Sequence, residues 1–286
     1  MDIIHDAHSE ITTENRQAEA EGIQAGAYLL ELSADWIVLR ASENVHHLLG
    51  ESHVTLIDEP LGRFVHAEAL HDLRNLFSRL SGTTGIARAY QIRLTDDPDR
   101  FDIAFQLVDG RVLLEAIRSP ERGIGQTFGT VGGLIAGLEG SQGQGLLDGG
   151  ARRMRALTGY DRVTMNFGDR VAESSRGALL MNAHDVKGSP ALVGDTGAAL
   201  VPIFPRKLDD TSADAALLRA PGHASRLRDA GVRAMMRVPF SVKGEKGEFV
   251  CESGSPRAPS MEVHAAAELF AQLFAVRLEI DQLKKG

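Results

Sequence analysis

The pair Asp109-Gly110 constrains this chain most, because it sits between two apolar runs, Phe101 to Val108 and Val112 to Ile117. Asp-Gly between such runs is tight-turn chemistry and folds its neighbours back on each other as an antiparallel hairpin. A third run, Ala89 to Leu94, leads into them through Asp96-Asp97-Pro98-Asp99. Upstream, Ala27 to Leu32 and Trp36 to Ala41 flank Ser33-Ala34-Asp35, which reads as another hairpin. Between the two strand groups, Asn44 to Leu49 and Glu68 to Leu80 have helical spacing, and the second aligns Leu70, Leu73, Leu76, Phe77 and Leu80 on one face. Two strands, small helices and three strands make an α+β domain built on an antiparallel sheet.

Pro120 to Gly125 carries loop chemistry suited to a domain boundary, and a second αβ pattern follows. Residues 129 to 157 space Leu134, Leu138, Leu146, Leu147, Met154 and Leu157 helically, although Gly143, Gly145, Gly149 and Gly150 weaken that helix. Strands are expected at Asp161 to Phe167, Val171 to Ser174, Ala199 to Phe204, Arg233 to Val242 and Glu248 to Glu252. Met261 to Leu283 is the best helix in the chain, with an apolar face wider than one stripe, so it is expected to pack on two surfaces. The chain divides into an arm at 1–22, a first domain at 23–122 and a second at 126–286, each domain an antiparallel sheet flanked by helices.

With 31 basic against 39 acidic residues the net charge is −8, which repels phosphate backbones and anionic membranes, so nucleic acid is not an expected partner. The N-terminus is acidic and no apolar run approaches bilayer length, which predicts a cytoplasmic protein without membrane attachment. The single cysteine, Cys251, forms no internal disulfide, and it lies in the apolar strand Phe249-Val250-Cys251, where a thiol is usually a small core residue. His46-His47 and the pair His66 and His71 lack convergent ligands, so no metal site is expected. No phosphate-binding loop, nucleophile elbow or triad context occurs, and no catalytic residue is assigned.

Four segments in order carry a resemblance to one family. Ile23-Gln24, Gly26 to Leu30, Ala41 to Asn44 and Leu48-Leu49-Gly50 resemble the opening of a phytochrome PAS domain. Leu157-Thr158-Gly159-Tyr160-Asp161-Arg162-Val163 resembles the family's entry into the GAF sheet. Leu218-Arg219-Ala220, His223 and Leu227 to Ala234 are similar to the GAF pocket segment, and Pro256-Arg257 with Ala267 to Leu273 to its closing helix. The chain thus resembles the PAS plus GAF half of a bacteriophytochrome over residues 23 to 282.

That resemblance implies a photosensor whose bilin is fixed in the GAF pocket by a thioether, and the sequence departs from it at the attachment sites. Residues 1 to 22 contain no cysteine, and Gly222 occupies the alternative attachment position before the pocket histidine. The family's D-I-P motif is missing between Glu173 and Val201, and Glu252 or Ser253 replaces a second histidine. The aromatic residue after the DRV strand is Asn166 here. His223, Arg219, Met165 and Asn166 are the candidate pocket residues that the resemblance carries over. His223 reads either as a ligand-facing imidazole or as a solvent-facing helix residue. Arg219 reads either as a partner for a propionate or as a solvated surface arginine.

The expected function is a phytochrome-like sensory input module without a covalent bilin, holding a biliverdin-type tetrapyrrole or another small ligand non-covalently. The alternative is a chromophore-free interaction module that binds a second copy through its GAF helices, or a separate signalling protein. An enzyme is not expected. The wide apolar face of residues 261 to 283 fits a homodimer, and it equally fits a helix covered on both sides within its own domain. No PHY, kinase or cyclase signature is seen in these residues, and the PAS–GAF knot of phytochromes is expected to be absent because knots are rare.

Overall fold

The computed structural model describes residues 22–78, 85–120, 126–177, 191–206, 212–222 and 224–284. The turn at Asp109-Gly110 forms with φ of 48° and 77°, the two positive values of a type I′ hairpin. It joins β5 (Phe101–Val108) to β6 (Arg111–Arg118), with Val108 opposite Arg111. Lys243 and Gly244, with φ of 51° and 85°, make a second such turn. It closes β11 (Ala234–Val242) onto β12 (Glu245–Ser253), so β12 starts three residues before the apolar run that marks it in the sequence.

Among the described residues the first sheet has seven antiparallel strands. They are β1 (Gly22–Gln24), β2 (Ala27–Leu32), β3 (Val38–Ser42), β4 (Ala87–Ile92), β5, β6 and β10 (Leu200–Phe204), in the order β1-β10-β3-β2-β6-β5-β4. One face packs on α1 (His46–Leu49), α2 (His53–Leu56) and α3 (Ala67–Ser78), around Trp36, Leu56, Leu73 and Phe105. The other face, with Ile23, Leu29, Leu113 and Ile117, continues into the core of the second domain.

The second sheet runs β8 (Arg170–Ser175), β7 (Arg162–Phe167), β12, β11, β9 (Leu192–Val193). Helices α4 (Gln126–Ala136), α5 (Gly143–Thr158) and α7 (Met261–Leu283) share its core, and α6 (Ala224–Asp229) brings Leu227 to the opposite face.

Two sequence expectations are corrected here. Ala199 to Phe204, expected in the second domain's sheet, instead crosses into the first, pairing Ile203 with Ser42 and Phe204 with Ala41. Alternation tells which face of a strand is buried but not which sheet supplies its neighbour. Residues 129 to 157, expected as one helix, are two, interrupted by a turn at Gly140 with φ of 77°. One glycine that weakens α5 has a packing reason: a Cβ on Gly150 would lie 2.4 Å from the Phe274 ring on α7. The absence of a knot was expected for chain threading that involves 1–21, 178–190 and 207–211, which lie outside the described residues.

Candidate functional site

Two polar constructions of the interior bear on the site. The first holds the two domains together. Strand β1 lies beside β10, and Ile23 also bridges to Arg219. Gln24, buried, donates from Nε2 to the carbonyls of Leu192 at 2.7 Å and Arg219 at 3.0 Å, and its Oε1 accepts from the Gly194 amide at 2.7 Å. A carboxamide supplies two N–H donors and an acceptor oxygen together at one such point. Glu115 on β6 accepts from the amides of Leu217 and Leu218 at 2.9 and 2.8 Å, and from Gln106 at 3.4 Å. Full burial raises its pKa from 4.5 to about 7, against the pull of those hydrogen bonds and of Arg88. Arg40, fully buried, donates to the Pro205 carbonyl at 3.0 Å and pairs with Glu31, which also takes Arg111.

The second construction is the face of the second sheet turned away from α4, α5 and α7. Val163, Met165 and Phe167 on β7 belong to the helix-side core, so their alternates Arg162, Thr164 and Asn166 face the other way. Across β12 the same parity puts Glu248, Val250 and Glu252 on that face, and across β11 Met235, Arg237 and Pro239. Arg162 meets Glu252 through Nε at 2.8 Å and Nη2 at 2.7 Å, with both side chains buried. Arg237 and Glu248 form a fork on both carboxylate oxygens at 2.9 and 2.5 Å, partly exposed. Val193, Leu227, Val232, Met235 and Val250 form a small apolar cluster beside them. The Thr164 hydroxyl, 1% exposed as a residue, finds no hydrogen-bond partner among the described residues.

Three of the four candidate pocket residues lie among the described residues. His223 lies outside those residues. Arg219 is ion-paired to Asp214 at 2.9 Å, and its backbone belongs to the clasp on β1. Met165 is buried on the helix side of β7, opposite Phe249 and Ala172. Asn166 is on the other face and borders an open groove of about 790 Å³ with Gly168, Pro239, Ser241, Glu248 and Val276. Adjacent residues of a strand point to opposite faces, so Met165 and Asn166 do not line one pocket.

Cys251, the one thiol, is buried on the helix side opposite Val163, and its pKa is pushed up by burial. Glu252, which with Ser253 is one of the two residues the resemblance sets against a family histidine, takes the Arg162 ion pair. Sequence reading missed Gln24, Glu115 and both arginine–glutamate forks. The available signal was a charged residue at the apolar parity of a strand, as Glu115 stands within Val112-Leu113-Leu114-Glu115-Ala116-Ile117. Among the described residues no group of three or more His, Cys, Asp or Glu is placed to hold a metal ion, and no helix is long and apolar enough to cross a membrane.

Comparison with known proteins places this architecture. Residues 18–116 match the PAS_2 family, described as a PAS fold. The chromophore-binding domain of an unusual bacteriophytochrome from R. palustris superposes with a TM-score of 0.74 at 22% identity, covering 94% of this chain and 99% of that one. The chromophore-binding domain of Stigmatella aurantiaca phytochrome P1 gives 0.72 at 22% identity, covering 91% and 95%. The architecture is therefore a PAS domain followed by a GAF domain, arranged as in phytochrome chromophore-binding domains. A curated bacteriophytochrome of Pseudomonas aeruginosa is 28% identical over 92% of this chain, and the chain spans 39% of that relative's length. The chain is thus similar to the PAS–GAF part of a bacteriophytochrome.

Proposed function

We propose that this module is the sensory input half of a phytochrome-type signalling protein, that it carries no thioether-linked bilin, and that it works by pairing with a second copy along α7. The observation that carries the pairing is the outer stripe of that helix. Leu269, Leu273, Val276, Ile280 and Leu283 are 38, 38, 57, 42 and 63% exposed, although Phe270 and Phe274 on the same helix are fully buried. Their steps of four, three, four and three residues are those of a two-helix seam. In that heptad frame Glu279 and Lys284 fall at flanking positions that meet between two parallel helices, an opposite-charge contact that an antiparallel pair would not make.

The absence of a thioether is supported by Cys251, the only cysteine of the chain, which is buried in the core on the side of the sheet away from Asn166. Light scattering with analytical ultracentrifugation tests the pairing. A dimer is expected, with V276E/I280E monomeric at unchanged melting temperature; a monomeric parent protein at tens of micromolar would overturn it, and capture of a separate signalling protein by the same stripe would replace it. Coexpression with a bilin source should give protein of unmodified mass.

A second reading rests on Thr164. A buried hydroxyl without a partner costs free energy and favours a polar ligand atom beside it. A biliverdin-type tetrapyrrole or smaller molecule held without a covalent bond would meet that need. Added biliverdin that changes neither the absorbance spectrum nor the melting temperature argues against the tetrapyrrole.

A further inference from the structure

Resting on the α7 pairing proposed above, we infer that Arg88 of the PAS domain sets the rotation of α7 about its own axis and thereby aims the pairing stripe. Strand β4 is the edge of the first sheet, and Ile86 and Tyr90 pack against the GAF core on either side of Arg88. The Arg88 guanidinium forks onto α7: Nη2 donates to His264 Nδ1 at 2.8 Å, and Nη1 pairs with Glu268 Oε2 at 2.8 Å. His264 and Glu268 stand four residues apart, on one face of the helix, and their own approach is 3.7 Å. Leu269 follows Glu268 by one residue, about 100° around the axis at 3.6 residues per turn. A clamp on His264 and Glu268 therefore fixes the direction in which Leu269, Leu273 and the rest of the stripe point.

The chemistry of the clamp is directional rather than merely adhesive. Because Nδ1 accepts from a guanidinium that never loses its proton, the imidazole is neutral and carries its hydrogen on Nε2. Burial, with Arg88 adding to it and Glu268 opposing, lowers the His264 pKa to about 4, so the neutral form persists across the physiological range. The groups that face this imidazole are Arg88 from β4, Glu268 from α7 and the backbone of Arg237 from β11. Arg88 Nε is buried without a hydrogen-bond partner among the described residues, and the His264 ring is turned to the backbone of Arg237. A buried guanidinium with an orphaned donor makes this a poor way to gain stability, since apolar side chains of the same volume would fill the site without that cost. What the fork supplies that apolar packing does not is a fixed angle between a strand and a helix.

The test reads helix azimuth through cross-linking of single cysteines placed on the seam, V276C, or beside it, Q272C and E279C. Cys251 is buried, so the introduced thiol is the one that reacts. In the parent protein V276C is expected to cross-link at least about tenfold faster than the flanking pair, as a seam position meets its own copy. R88M, which keeps the stem and loses the fork, is expected to reduce that preference to about twofold, with R88K intermediate because it keeps charge but not geometry. A general loss of packing would slow all three sites together, so the ratio separates positioning from stability. If the parent dimerises and R88M leaves the ratio unchanged, the inference is overturned while the pairing stands. If the parent is a monomer the pairing fails, and hydrogen exchange along α7 then decides: faster exchange over 264–275 in R88M supports the clamp, and unchanged exchange overturns it.

Discussion

The two faces of the GAF sheet are made from the same strands by alternate residues, yet they are held by opposite physics. On the helix side Phe167, Phe240, Phe249, Phe270 and Phe274 form a continuous ring cluster, with centroids 5.3 Å apart for Phe249 and Phe274 and 6.2 Å for Phe270 and Phe274. On the other side Arg162–Glu252 and Arg237–Glu248 lie across neighbouring strands. Apolar burial is non-directional and tolerates drift, whereas a two-pronged arginine–carboxylate contact demands register. The helix side therefore stabilises the domain, and the outer side chiefly specifies how the strands align.

The sharpest way to break that contrast is Phe274→Ala. The ring is fully buried, touches three other phenylalanines and lies against Gly150, where the neighbouring backbone has little freedom to close the void. Such a cavity costs about 4 kcal/mol, read as a lower denaturation midpoint at unchanged slope. A loss under about 1 kcal/mol would mean that the helix layer repacks and is not the stabilising face.

On the other face, Glu252→Leu is expected to cost about 3 kcal/mol, because it leaves the Arg162 charge buried beside an apolar group. Pairing it with Arg162→Met should restore most of that loss, since the desolvation of two ions disappears along with their attraction. Urea denaturation of the four proteins of this cycle gives the answer. A double variant as unstable as the single one would show that the fork itself contributes to stability, contrary to the role argued for this face.

Glu115 is a buried acid of a third kind, held by peptide amides rather than by a direct ion pair. Its pKa is about 7 in the fold and 4.5 for an ordinary glutamate, so the folded state binds the proton more tightly. Stability from this group is therefore fully present below about pH 4.5 and is lost as pH rises through about 7. At about 1.36 kcal/mol per pKa unit the span is at most about 3 kcal/mol. Stability curves of the parent and Glu115→Gln, subtracted, should differ by a slope confined to that window. His264 works the other way, its contribution being lost as pH falls from 6.5 through about 4, and the subtraction removes it.

Much of the architecture is written locally. Asp109-Gly110 announces its hairpin, and Ser260, which accepts from the Val263 amide, begins the helix that the apolar spacing of 261–283 marks. What is not local is harder to read. Nothing in Leu200–Phe204 says that its partners are β1 and β3 of the other domain, because edge strands recruit neighbours through backbone groups that every residue shares. The site suffered most from treating neighbours in sequence as neighbours in space: Met165 and Asn166 share a motif and face opposite ways. Arg219 carries a pocket role by resemblance and pairs with Asp214, and the charged residues of the GAF sheet, Arg162, Arg237, Glu248 and Glu252, become meaningful only when the strands are set side by side.

The smallest effect sharpens the comparison within one face. Arg237 reaches both oxygens of Glu248, where Arg162 Nε and Nη2 both meet Oε2 of Glu252, and the side chains of the Arg237–Glu248 fork are 22 and 25% exposed where the other pair is at 3 and 0%. Water reaches it, so neither the desolvation cost nor the penalty for orphaning one partner is large, and Glu248→Gln is expected to change stability by less than about 1 kcal/mol. The same variant should respond to added salt less than the parent does, because screening acts on an accessible charge pair and not on a buried one. If Glu248→Gln instead cost as much as Glu252→Leu, geometry rather than burial would govern what these forks are worth. The two faces of the sheet would then differ in residue type without differing in what holds them.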